Sequence, residues 1–333
     1  MSVFVQQQHS INDFSSADSW VILSEIELSI KRKIEAVGTP LKDWDIQIYR
    51  GVLTGYNEAF IISTEKRDEI LANCHSEEER AKTAELIRPI LRGRDIKRYG
   101  YEWANLWLIA TFPARQYDIN NYPAVKNYLL SFAKQQLIDA GYSWVANEHL
   151  ADYCKQKLSQ TGKFIEIDGK RITIGNSQEK ARKKTSNKWF ETQDSISYWD
   201  DFNQPKIIYP NMTKYMPFVF DNNGFLTNQK CFIVTGQYVA FLTAFFNSSL
   251  FKYCFRNSFP ELLGGTREMS KIFFDKIPVI VINNQLNELF ASKIMEIQSN
   301  YTREKAKTID TMIFDLYELT GKERQAIGYI EIQ

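Results

Sequence analysis

The sequence predicts an α+β fold in which an irregular mixed sheet is framed by helices at both ends of the chain. Strand-like and helix-like segments follow one another without the regular alternation of a doubly wound sheet. Residues 164–174 form a strong hairpin signal, because two alternating segments flank the turn dipeptide Asp168-Gly169. Apolar stripes with helical spacing mark both ends of the chain, near residues 19–38 and 285–318.

The first helix is predicted over residues 19–38, where Ile26, Ile30 and Ile34 lie on one face and Gly38 follows as a stop signal. From residue 44 the pattern changes to the alternation of a strand, then a glycine loop, then a second strand over 59–62. The other predicted elements are a helix over 64–73, a strand over 106–113, a helix over 122–140, a strand over 205–212, two strands around an Asn-Asn-Gly turn within 218–236, a helix over 238–258, a strand over 271–283, and two helices within 285–318 joined near Thr302.

These elements suggest three parts: a tail and connector helix over 1–43, a main domain over 44–283 and a helical segment over 284–333. The apolar stripes of the first and last parts are too long for free surface helices. We therefore expect those helices to pack together or against a catalytic part outside this chain.

Composition excludes several classes of protein. The chain has 333 residues, 44% of them hydrophobic and 24% charged, which is typical of a globular protein. Its four cysteines lie far apart, so neither a zinc knuckle nor a disulfide scaffold is predicted. No signal peptide or membrane span is recognisable, and a soluble cytoplasmic protein is expected.

The net charge is only +1, so any polyanion site must come from local clusters of cations. Such clusters occur at residues 31–33, 88–98 and 180–188. The run ELIRPILRGRDIKRY, residues 85–99, is the most informative, because Gly93 can bend the chain and project nearby cations. Asp95 could orient one guanidinium toward a base, or it could form an internal ion pair with Arg94, and the sequence leaves both open.

No catalytic motif is found. The chain contains neither of the glycine-rich loops that bind nucleotides and no Asn/Asp-Pro-Pro-aromatic motif of amino methylation. The Asp95-x-Lys97 and Asp168-x-Lys170 spacings are too short to be diagnostic of a nuclease, and the three histidines have no metal-ligand spacing. No catalytic residue, cofactor-binding residue or metal ligand is predicted.

Four segments together resemble one family: residues 39–62, residues 85–99, residues 187–212 and residues 232–251. They are similar to the C-terminal specificity region of TaqI-like DNA adenine methyltransferases and type IIG restriction-modification enzymes. The tail IDTMIFDLYELTGKE, residues 309–323, is similar to the closing helices of those proteins. In that family an N-terminal domain binds S-adenosylmethionine and methylates a flipped adenine, and the C-terminal target recognition domain selects the DNA sequence.

The resemblance implies double-stranded DNA as a partner, and a methyltransferase or nuclease domain in the same protein or on another chain. It implies no cofactor in this chain, with S-adenosylmethionine assigned to the catalytic part. Gly51, Gly55, Phe60 and Trp189 would be scaffold, and DNA contacts would fall on polar loops. The predicted DNA-binding residues are Arg92, Arg94, Lys97, Arg98, Arg182, Lys183, Lys184, Lys188, Lys214 and Arg267.

The loop over 178–188 is expected to be mobile without DNA and to make mostly non-specific phosphate contacts. Two other functions stay open at this point. An independent metal-dependent nuclease would cleave DNA by itself, and a protein-interaction domain of a larger complex would bind a partner without salt-sensitive affinity for DNA.

Overall fold

An antiparallel sheet of four strands, called the first sheet, lies at the centre of the computed structural model. The structure describes residues 24–139, 141, 147–159, 164–167, 169–173, 182 and 184–330. The strands of the first sheet follow the order β12-β10-β14-β2. They are β2 (Ile46–Arg50), β10 (Lys206–Pro210), β12 (Val219–Asp221) and β14 (Cys231–Gly236). Every residue of β10 is buried, as expected for a central strand covered on both faces.

A second sheet has the order β13-β4-β7-β3 and is mixed, because β13 runs parallel to β4 while the other pairs are antiparallel. Its strands are β3 (Ile61–Ser63), β4 (Ile87–Leu91), β7 (Leu106–Ile109) and β13 (Leu226–Thr227). The remaining strands form short pairs: β1 (Gly38–Pro40) with β16 (Pro278–Ile280), β5 (Ile96–Lys97) with β6 (Gly100–Tyr101), β8 (Phe164–Ile167) with β9 (Lys170–Thr173), and β11 (Met212–Thr213) with β15 (Arg267–Glu268). The α+β prediction with irregular mixed sheets is confirmed.

Helices surround these sheets. They are α1 (Glu25–Val37), α2 (Asn57–Phe60), α3 (Thr64–Ala72), α4 (Glu77–Leu86), α5 (Pro123–Asp139), α6 (Asn147–Leu158), α7 (Val239–Asn247), α8 (Ser249–Phe255), α9 (Lys271–Phe274), α10 (Asn284–Ser299), α11 (Arg303–Leu316) and α12 (Gly321–Ile327). Thr302 caps α11, as the sequence predicted for the joint between the C-terminal helices. Among the described residues, no helix combines the length and the apolar content that crossing a bilayer requires.

Two hydrophobic cores are present. The first core surrounds the second sheet and includes Ile87, Leu108 and Leu129. The second core is rich in phenylalanine and lies between the first sheet and the C-terminal helices. Its rings pack edge-to-face and tilted, for example Phe218 on Phe246 at 5.0 Å between ring centroids. Much of the aromatic excess in the sequence is therefore core.

The predicted packing of the terminal helices on each other is confirmed. Ile30 and Ile34 of α1 are buried in the second core together with residues of α10 and α11. Lys33 Nζ lies 2.8 Å from Glu323 Oε2 of α12, and Ser29 Oγ donates to the same carboxylate at 2.7 Å. Helices from both predicted flanking segments thus contribute to one core.

Some local predictions were wrong for identifiable reasons. The strand predicted over 59–62 is present only from Ile61 onward, as β3, because residues 57–60 form a helical turn. The predicted helix over 238–258 breaks after Asn247, because Ser248 accepts from the Phe251 amide at 3.1 Å and starts a new helix. Residues 271–274 of the predicted strand over 271–283 are helical, and only the Pro278–Ile280 part is a strand.

The strands on either side of the Asn-Asn-Gly turn do not pair with each other. Strand β12 pairs with β10, and β13 pairs with β4 in the other sheet. The Asp221 carboxylate is buried and accepts from the amides of Asn223 and Phe225 at 2.9 and 3.0 Å. It also pairs with the buried Lys206 ammonium. These contacts of Asp221 direct the chain away from the first sheet after β12. The two strands therefore do not form the hairpin that the Asn-Asn-Gly turn predicts.

Candidate nucleic-acid interface

A cleft of about 910 Å³ opens where the two cores meet. One wall is the basic run that begins in β4 and continues through β5 and β6. Leu91 and Ile96 of this run are buried in the first core and Tyr99 in the second, so the run crosses from one core to the other. The opposite wall consists of residues around β11, the turn before β14 and the end of α10. The lining residues include Arg92, Gly93, Arg94, Ile96, Lys97, Tyr101, Glu102, Asn211, Met212, Thr213, Tyr215, Asn228, Lys230, Gln298 and Tyr301.

The bend of the run is fixed by Asp95. Its buried carboxylate accepts from the backbone amide of Arg92 at 2.9 Å and from the Arg92 guanidinium at 3.0 and 2.8 Å. This hydrogen bonding raises the pKa of Arg92. The internal pair considered between Asp95 and Arg94 is therefore formed by Arg92 instead. The three-residue helical turn Gly93–Asp95 then leaves Arg94 exposed.

The free positive charge of the cleft comes mainly from Arg94 and Lys230. Both are exposed, and neither side chain makes a hydrogen bond or ion pair within the described residues. Lys97 is also exposed, but its Nζ lies 3.4 Å from the exposed Glu102 carboxylate. Such an exposed pair is weak in water, and Lys97 can exchange it for a phosphate at little cost.

Groups that can read bases line the same cleft. The Asn211 side-chain oxygen is shielded from solvent and has no hydrogen-bond partner within the described residues. The Asn228 side-chain oxygen accepts from the Lys230 amide at 3.1 Å. The side-chain amide of Gln298, by contrast, is already hydrogen-bonded. It accepts from the Phe220 amide at 3.2 Å and donates to the Phe220 carbonyl at 3.0 Å. Tyr215 and Tyr301 are about half exposed at the rim.

Arg98 was predicted to contact DNA, and the structure places it in the interior. Its side chain is 3% exposed. The guanidinium donates to the carbonyl of Asn247 at 3.1 and 2.8 Å and to the carbonyl of Ile330 at 3.1 Å. It also lies 3.7 Å from the buried Asp310 carboxylate, whose pKa is raised by burial. Arg98 therefore lines the cleft, but its guanidinium is committed to these internal partners and stabilises the second core, which corrects the prediction of a DNA contact.

Arg182 is a second correction. Its guanidinium donates to the carbonyl of Leu158 at 2.9 Å and to the carbonyl of Glu191, and burial lowers its pKa to about 10. Arg182 thus joins the end of α6 to the segment before β10. Lys184 is exposed, and so is Lys188, which lies 4.0 Å from Glu191. Lys183 and residues 178–181 of the predicted loop lie outside the described residues.

The two remaining predicted residues differ from each other. Lys214 is exposed beside the Tyr215 ring, next to the cleft. Arg267 is 11% exposed, with its guanidinium 2.5 Å from Glu261 and 3.0 Å from the carbonyl of Phe259. Its role in this structure is to hold a loop, which corrects the prediction of a DNA contact.

Sequence reasoning missed Lys230, Asn211 and Asn228. Each lies in a turn next to a strand of the first sheet, away from any cluster of basic residues, so its position is visible only in the folded chain. Within the described residues, no group of three or more His, Cys, Asp or Glu side chains could hold a metal ion.

The geometry defines a mixed-sheet domain with a cationic cleft. Residues 88–279, more than half of the chain, match the family model of the TaqI-like C-terminal specificity domain. The chain therefore belongs to this family, and the resemblance inferred from the sequence is confirmed.

Two solved structures are similar to this chain. The type IIG restriction endonuclease BpuSI is 11% identical with a TM-score of 0.50, and the match covers 89% of this chain and 34% of BpuSI. The type IIL enzyme MmeI in complex with DNA is 10% identical with a TM-score of 0.47, covering 94% of this chain and 39% of MmeI. The chain thus spans about a third of the length of BpuSI. No curated protein sequence matches it.

Proposed function

We propose that this chain is a sequence-specific double-stranded DNA recognition domain that serves a type II restriction enzyme or an adenine-specific DNA methyltransferase. Membership of the specificity-domain family supports the proposal, and the observation that carries it is the cationic cleft. Arg94 and Lys230 face the cleft without internal partners, which suits them to phosphate or guanine.

The proposed mechanism separates positioning from reading. Lys97, Lys214 and Lys230 neutralise phosphates along the cleft and fix the register of the duplex, whereas Arg94 presents its guanidinium to a guanine edge. Asn211 lines the cleft, and a rotation of its side chain would bring its oxygen, which is shielded and without a hydrogen-bond partner within the described residues, to a base edge. Arg92 is held by Asp95 and keeps the wall of the cleft in place. Catalysis is assigned to another part of the protein or to another subunit.

The test begins with selection of bound sequences from a pool of randomised duplexes. Fluorescence anisotropy then compares the selected duplex with a scrambled one over a range of salt concentrations. The double variant Arg94→Ala/Lys230→Ala should weaken binding to the selected duplex most strongly, and the loss of Lys230 should reduce the salt slope by roughly one unit. The matched control Arg32→Ala/Lys134→Ala removes two exposed cations that do not line the cleft, and it should bind as the wild type does.

The proposal fails if the wild-type chain shows no salt-sensitive affinity for any duplex, or if the cleft variant and the control behave alike. Cleavage of DNA by this chain with a divalent metal would favour the nuclease alternative instead. The proposal also assigns S-adenosylmethionine to the catalytic part. Titration calorimetry of this chain should therefore detect no binding of that cofactor in the micromolar range.

A further inference from the structure

Residues 260–268 form a narrow projection, here called the finger, beside the cleft. Its two sides are joined by a bridge between Glu261 and Arg267 and by the bond from the Leu262 amide to the Thr266 carbonyl at 2.8 Å. The Glu268 amide donates to the Pro260 carbonyl at 3.0 Å and closes the base. The finger is therefore a hydrogen-bonded hairpin with its tip at residues 263–265.

The base of the finger is anchored in the second core. Phe259 is fully buried, with its ring 5.0 Å from that of Phe274 between centroids. Arg267 fastens the base by donating to the Phe259 carbonyl at 3.0 Å and pairing with Glu261 at 2.5 Å. This pair neutralises Glu261, and the remaining carboxylate of the finger, Glu268, lies at the base and accepts from the Ser270 hydroxyl, away from the tip at 263–265.

The tip of the finger presents an apolar side chain to solvent. Leu263 is 98% exposed. It is followed by Gly264 and Gly265, both with left-handed backbone at φ of +78° and +75°, and the space beside their α-carbons is open. A leucine held at the end of an anchored hairpin contributes nothing to either core. Burial of this side chain would be favourable, and that gain is available only to a binding partner.

The finger and the cleft share a strand pair. Met212 and Thr213 of β11 line the cleft, and they pair directly with Glu268 and Arg267 at the base of the finger. Leu263 is four residues from Arg267, so the tip lies within about 14 Å of that strand pair. The base of the finger therefore adjoins the cleft, and a duplex bound in the cleft would lie beside the finger.

We infer that Leu263 is an apolar wedge that enters a base step of the duplex bound in the cleft. The inference rests on the proposed function and names a mode of recognition that the cationic residues do not provide. Apolar side chains inserted between bases unstack the step and kink the duplex by 20–90°, at a cost of about a few kcal/mol. That cost is lowest at flexible pyrimidine–purine steps, so the wedge would select sequence without a hydrogen bond to a base.

The experiment uses the full chain and the duplex selected in the binding test. A series of duplexes carries 2-aminopurine at successive positions, and a doubly labelled duplex reports bending by energy transfer. The wild type should raise 2-aminopurine fluorescence at one step and bend the duplex there. Leu263→Ala should lose both signals and bind about ten-fold more weakly, with an unchanged salt slope. Leu263→Met should retain both signals.

The matched control is Leu289→Ala, which truncates a leucine that is 46% exposed on α10 and does not line the cleft. It should behave as the wild type does, and both alanine variants should keep the wild-type melting temperature. If the wild type binds the duplex but no probe responds, or if Leu263→Ala keeps the signals, the wedge is refuted while DNA recognition stands. If Leu263→Ala binds and bends DNA as the wild type does but no longer binds a partner protein, the wedge is also refuted. If the wild type binds no duplex, both proposals fall together.

Discussion

Exposed cations and buried cations occur side by side in the two basic segments of the sequence, residues 88–98 and 180–188. Arg94 and Arg98 are four residues apart, yet Arg94 is exposed without a partner in the described part of the chain, whereas Arg98 is 3% exposed. The second basic segment divides in the same way, because Arg182 is buried and Lys184 is exposed. A cluster of positive charge therefore does not mark a surface by itself.

The difference lies in the carbonyl groups that the fold leaves unpaired. Arg98 reaches the carbonyl of Asn247 at the end of α7, where no further helical turn supplies a donor. Arg182 reaches the carbonyl of Leu158 at the end of α6 in the same manner. A guanidinium has five N–H donors spread over a planar group, so it can bond several such oxygens at once. The three donors of an ammonium lie on one atom and cannot reach oxygens that are as far apart.

The largest expected effect is a loss of folding stability when the buried Arg98 is replaced. Arg98→Met should lower the free energy of unfolding by roughly 3 to 5 kcal/mol, because it removes the guanidinium 3.7 Å from the buried Asp310 carboxylate and the hydrogen bonds to the carbonyls of Asn247 and Ile330. Urea denaturation measures this loss. Arg94→Met is the matched control and should unfold as the wild type does. If the two variants were equally stable, Arg98 would contribute no more to folding than the exposed Arg94 does, and the prediction would be wrong.

The next effect concerns acid stability. Burial acts to raise the pKa of Glu323, but hydrogen bonds from Lys33, Ser29 and Thr320 prevail and lower it to about 2, below its ordinary value of 4.5. A depressed pKa stabilises the fold above pH 4.5, and this contribution of roughly 3 kcal/mol is lost as the pH falls toward 2. In Glu323→Gln, denaturation curves should show less stability at pH 7 and a weaker decline between pH 5 and pH 2. An identical decline would assign acid unfolding to other carboxylates.

On the cleft side, Arg94→Ala should cost about 1 to 3 kcal/mol of binding on the selected duplex and little on a scrambled one. The melting temperature should stay unchanged, since Arg94 has no internal partner among the described residues. Anisotropy titrations with both duplexes measure the two affinities. Equal losses on both would show that Arg94 contacts only phosphate.

The smallest effect is expected at Lys184, which is exposed in the segment that follows the hairpin. Lys184→Ala should weaken binding to selected and scrambled duplexes by the same factor and reduce the salt slope by about one unit. Titrations at several salt concentrations provide the slope. A change in sequence preference with an unchanged salt slope would show instead that Lys184 contacts a base and not a phosphate.

Sequence reasoning succeeded where local patterns agree with the fold. Helix α5, the alternation of β2 and the hairpin of β8 and β9 all match their predicted places. It failed where one buried group decides the path, as Asp221 does by turning the chain between the two sheets. The site was predicted in part, because the basic run does line the cleft. Arg94 and Arg98 were indistinguishable beforehand, since their fates depend on distant carbonyls.

Within the described residues, the side chains of Arg94 and Lys230 make no contacts that the fold depends on, and this affects how freely the sequence can change at these two positions. Because neither side chain has a partner among the described residues, replacing them costs the fold little, and most residue types are tolerated there. The wall behind them is held by Asp95 and Arg92, which must remain. New target preferences can therefore be explored by randomising the two free positions alone, and a library built this way should keep nearly all its members folded.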